Sequence, residues 1–69
     1  MMFDVIYRCS VSKKTGKFYH CIVVDLGYTE KYLTFNVADI AEILKCPVAE
    51  LAVANSPIER KIGIIGIDE

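Results

Sequence analysis

The sequence predicts an α+β fold in the order β-β-β-α-α-β: a three-stranded antiparallel meander, one or two short helices and a final strand. Three observations carry that expectation. Residues 3–11 and 18–26 each alternate in the two-residue period of a half-buried strand, and a short lysine- and glycine-rich stretch joins them. Residues 36–54 change to helical spacing with a start signal in front. The isoleucine-rich stretch IERKIGIIGI then follows the break NSP. At 69 residues only one core is expected, so residues 1–69 are read as a single domain.

In the first strand, FDVIYRCSV, Phe3, Val5, Tyr7, Cys9 and Val11 fall on one side, and Asp4, Ile6, Arg8 and Ser10 on the other. In the second, FYHCIVVDL, Phe18, His20, Ile22, Val24 and Leu26 oppose Tyr19, Cys21, Val23 and Asp25. Between them KKTG reads as a turn, in which Gly16 can take positive φ without a steric cost. Pairing Lys14 with Lys17, or Ser12 with Lys17, keeps the two apolar sets on a common face. A three-residue loop would instead set Cys9 opposite Cys21 and Val5 opposite Asp25, mixing the faces. Cys9 and Cys21 are therefore expected on opposite faces, with no disulfide between them.

Gly27 breaks the second strand, Tyr28 to Glu30 connect, and Lys31 to Phe35 read as the third. Asn36 suits a helix N-cap, Asp39 favours the positive end of the helix dipole, and Phe35 and Ile40 are spaced as a hydrophobic staple. Val37, Ile40, Ala41 and Leu44 form the apolar stripe of that helix. Pro47 suits the first position of a second helix of about two turns, PVAELAVA. In the last strand Gly63 and Gly66 mark a bulge or a close backbone approach.

Charge is unevenly spread. The net charge is only -1, but from Arg8 to Lys31 five basic residues face two acidic ones, so the hairpin is basic and the rest acidic. The total argues against a strongly basic nucleic-acid binder. With 54% hydrophobic residues the chain is rich in apolar surface for its size, which points to burial between chains. The second face of the hairpin still holds Ile6, Tyr19, Cys21 and Val23, so a second copy or a folded-back terminus is expected to cover it. No apolar run approaches a membrane span and no secretory signal is evident, so a cytoplasmic location is expected.

Candidate chemistry is sparse. Three cysteines without CxxC spacing and one histidine do not supply a zinc ligand set, and no cofactor or metal is expected. His20 falls on the apolar face, as a packed, hydrogen-bonded side chain would, and the carboxylates form no evident acid–base pair. The expectation is a non-enzymatic protein.

The stretch IAEILKCPVAELAVA resembles the helix-turn-helix pattern of DNA-binding repressors, with Ile40, Ala41, Leu44, Cys46, Val48 and Leu51 at its small or apolar positions. That resemblance implies a DNA-binding regulator. Two departures weigh against it: Lys45 stands where the turn usually has glycine, and residues 47–55 carry no arginine, lysine or glutamine to read bases.

Two readings of the rest remain. One is a self-associating module, with a dimer favoured, that acts by binding a protein partner, in the style of small regulators or inhibitors from phages and mobile elements. Its candidate oligomer interface is Ile6, Val23, Ile62, Ile64, Ile65 and Ile67. The alternative is single-stranded nucleic-acid binding without sequence preference. Its candidate contacts are Arg8, Lys13, Lys14, Lys17, Tyr19 and Lys31, with Tyr28 and Tyr32 as further aromatic faces. Against that alternative, the lysines would serve only to solubilise an exposed hairpin.

Overall fold

Four strands form one antiparallel sheet in the order β3-β2-β1-β4, in a computed structural model that describes residues 1–67. The elements are β1 (Met2–Val11), β2 (Phe18–Asp25), β3 (Glu30–Thr34), α1 (Val37–Leu44), α2 (Val48–Ala52) and β4 (Ile58–Gly66). The first three strands are the expected meander. The helices then carry the chain back so that β4 pairs with β1, at the opposite edge from β3.

The β1–β2 register sets Val5 opposite Val24, Tyr7 opposite Ile22 and Cys9 opposite His20. It is closed by a four-residue loop, in which the Ser12 amide donates to the Lys17 carbonyl at 2.9 Å and the Gly16 amide to the Ser12 carbonyl at 2.8 Å. Gly16 takes φ +70°, as the turn requires. This is one of the two registers that keep the apolar sets together. Cys9 and Cys21 accordingly fall in different clusters, and all three cysteines are free.

One face carries the helices. Tyr7, Cys9 and Ile22 pack there with Ile40 and Ala41 of α1 and Leu51 of α2, with Val5, Val37, Leu44, Cys46 and Ile62 against them. Asn36 caps α1 as expected, its side chain accepting from the amides of Ala38 at 2.9 Å and Asp39 at 3.3 Å. Beyond the other end of α1, Lys45 adopts the left-handed conformation at φ 57°. The Cys46 amide there reaches the Ala41 carbonyl and the Lys45 amide the Glu42 carbonyl, the paired bonds of a Schellman motif. Pro47 lies just before α2 rather than within it, and α2 has five residues, shorter than two turns.

Two bulges reset the alternation. On β4 the register steps from Val5–Gly63 to Ile6–Lys61, leaving Ile62 as the extra residue. Ile62 therefore turns to the helix-side core instead of an interface between chains. On β3 the step from Ile22–Thr34 to Val23–Tyr32 leaves Leu33 as the extra residue. Close approach is realised at Gly66, where an added Cβ would stand 3.2 Å from the Met2 sulfur.

Candidate binding surface on the open face

The side of the sheet without helices follows from the same alternation. Ile6 and Arg8 of β1, Tyr19, Cys21 and Val23 of β2, and Tyr32 of β3 share it. Of the two covers expected for this apolar face, a second copy or a folded-back terminus, the second copy is not needed for its centre: Cys21 and Val23 are 0% exposed within the single chain, and Ile6 is buried with them. Ile6 and Val23 therefore offer no surface to a second copy.

Arg8 supplies part of the cover. From β1 it meets Glu30 at the start of β3 on the far side of β2, with Nη1 donating to Oε1 at 2.9 Å and Nη2 donating to Oε2. Its Nε also donates to Glu59 of β4 at 3.2 Å. A planar guanidinium matched to a carboxylate fork ties three strands together over Cys21 and Val23. The pair with Glu30 holds the Glu30 carboxyl below its ordinary range and keeps Arg8 more firmly charged. Arg8 is thus neutralised by two carboxylates, and the basic hairpin has less free charge than its residue count implies.

The hairpin end of this face is different. Phe35, just past β3, packs on Tyr32 with ring centroids 5.1 Å apart and planes 24° apart, and on Tyr19 at 6.2 Å and 50°. The staple expected between Phe35 and Ile40 is replaced by this stacking, because β3 ends at Thr34 and Phe35 turns to the open face. Tyr32 is 46% and Phe35 57% exposed. The three rings line an open groove of about 940 Å³ together with Lys13, Lys14 and Thr15 of the turn. The salt bridges among the described residues engage Arg8 and Lys61, leaving Lys13 and Lys14 unpaired.

The other sequence candidates lie elsewhere. Lys17 closes the turn opposite Ser12 and is not part of the groove wall. Lys31 pairs with Val24, in the alternation that points to the helix side, so it is separated from Tyr19 and Tyr32. Tyr28 stands 82% exposed in the β2–β3 connection, away from the three rings. Sequence reasoning missed Phe35; its signal was the run of aromatic residues Tyr28, Tyr32 and Phe35 around one short strand.

Several titratable groups are buried on the two faces of the sheet. The Tyr7 hydroxyl and His20 Nδ1 are 2.8 Å apart, with the rings stacked at 6.0 Å and both residues buried. Burial pushes the Tyr7 phenol and the Cys9 and Cys21 thiols up, which disfavours the nucleophilic thiolate. Among the described residues no group of three or more His, Cys, Asp or Glu side chains is placed to hold a metal ion, and no helix is long and apolar enough to cross a membrane. No family model, curated protein or solved structure matches the chain.

Proposed function

We propose that this chain is a small, non-enzymatic interaction module of the cytoplasm that forms a dimer through the outer edge of β4 and acts by binding a partner. The observation that carries this reading is the unpaired edge of β4 beyond its bulge. Ile67 donates to the Met1 carbonyl at 3.0 Å, so residues 67, 65 and 63 face β1, and the main-chain groups of Ile64 and Gly66 point outward.

A second copy can add antiparallel with Ile65 opposite its own counterpart and Ile64 opposite Gly66. This register pairs outward-facing residues with each other and keeps side chains on matching faces. Ile64 is 55% exposed. Met1 and Met2 add exposed apolar surface at the same end. The free buried thiols fit a reducing compartment.

The pairing axis stands perpendicular to the sheet, so the two open faces lie on the same side of a continuous eight-stranded sheet. The test is sedimentation velocity on the chain and on Ile65→Asp and Ile64→Lys. The reading expects a dimer that both substitutions convert to folded monomer. A dimer that survives both charges, with unchanged sedimentation, overturns it.

A further inference from the structure

We infer that the groove lined by Lys13, Lys14 and the Tyr19–Tyr32–Phe35 ring cluster is a binding site for single-stranded nucleic acid, read through phosphates and base faces and not through base sequence. This goes beyond self-association and does not depend on it, since the groove lies toward β3 and the hairpin turn while the proposed dimer edge is β4.

Three features combine. Each nucleotide of a single strand presents an anionic phosphate and a flat base, and the groove is lined by two lysines without an ion-pair partner among the described residues and by three clustered rings. The rings are held by one another, so little ordering is needed when a base stacks on Phe35 or Tyr32. Ser10, Ser12 and Thr15 also line the groove, and among the described residues its lining includes no carboxylate. Arg8, by contrast, is tied to Glu30 and Glu59, which confines the cationic contact to the turn.

An acidic peptide would satisfy the lysines but leave the exposed rings without flat partners, so it is the weaker match. Duplex nucleic acid keeps its bases stacked internally and cannot use the rings. With two phosphate contacts the dependence on salt is modest, a slope of about -1.4 in log K against log salt for a single strand.

The experiment is fluorescence anisotropy with a labelled oligothymidylate of about fifteen nucleotides, with oligouridylate and a duplex of equal length run beside it. Saturable binding to both single strands is expected, with weaker binding to the duplex. Phe35→Ala is expected to weaken binding about tenfold, and because Phe35 is exposed its thermal melt should stay near that of the parent. Lys13→Ala with Lys14→Ala should flatten the salt slope by about 1.4.

Equal affinity for duplex, absence of binding, or binding indifferent to both sets of substitutions overturns the inference. Binding of polyglutamate but not of either single strand overturns it in favour of a protein ligand. Because the Ile65→Asp variant retains the groove, its binding of the oligonucleotide separates this site from the dimer: loss of the dimer with retained binding supports the groove, and loss of both overturns its independence.

Discussion

Tyr7→Phe should destabilise the fold more than a single buried oxygen would seem to warrant. The substitution keeps the ring and removes only the hydroxyl that lies 2.8 Å from His20 Nδ1. His20 is 7% exposed, so water does not readily replace the lost partner. Leaving a buried polar group unpaired costs about 1–3 kcal/mol. A domain of this length is stabilised by about 3–10 kcal/mol in total, so the loss is a large fraction. At about 4–8 °C per kcal/mol the melting temperature should fall by about 5–20 °C.

Replacing both partners, Tyr7→Phe with His20→Leu, removes the orphaned nitrogen and should recover most of that loss, giving a clear coupling in a double-mutant cycle. The alkaline limb gives a second readout. Burial first, then the neighbouring thiols, raise the Tyr7 phenol above its ordinary 10.0, so the folded chain holds a proton that the unfolded chain releases. The resulting stability is complete below pH 10 and is lost as the pH rises above it. Tyr7→Phe should make that loss shallower, with the buried thiols accounting for the remainder. The assay is urea unfolding followed by circular dichroism. An unchanged midpoint for Tyr7→Phe, or strict additivity of the two substitutions, would refute the claim that this hydrogen bond is needed.

Lys45→Gly should be stabilising by about 0.5–1 kcal/mol, since a non-glycine residue in the left-handed region costs about 1–2 kcal/mol and glycine returns part of that as chain entropy; thermal melting against Lys45→Ala, which keeps the Cβ, checks it. Arg8→Met should cost about 1 kcal/mol at neutral pH, the exposed Glu30 partner limiting the effect through solvent screening. Because Glu30 is held below 4.5 in the folded chain, the stability from the pair is present above that pH and is lost as the pH falls through the lowered value. Urea midpoints of the parent and Arg8→Met should therefore converge as the pH falls through that lowered value, and a constant difference would contradict the ion pair.

The hairpin was legible because two strands with the same clean alternation leave only certain loop lengths that match their faces, and the four-residue loop closed by Ser12 and Lys17 is among them. Asn36 was legible because capping is local chemistry. What escaped depended on contacts distant in sequence. Ile62, Ile64, Ile65 and Ile67 read as one apolar group until pairing with β1 inserts a bulge at Ile62, sending Ile62 to the core and leaving Ile64 outside.

Arg8 read as free hairpin charge because Glu30 and Glu59 lie 22 and 51 residues away. That ion pair also explains why the open face needs no second chain over Val23. Phe35 satisfied a helix-staple spacing and a ring-stacking arrangement equally well in sequence; Tyr32 and Tyr19 decide between them. The cations and rings of the candidate site were thus visible separately, and the β3 register joins them.

The most direct test of the central claim is the native mass of the purified chain, measured by native mass spectrometry across a dilution series. Self-association through β4 gives a species at twice the 7.7 kDa chain mass that dissociates on dilution and that disappears in Ile65→Asp. A chain that stays at its single mass at every concentration would contradict self-association through β4.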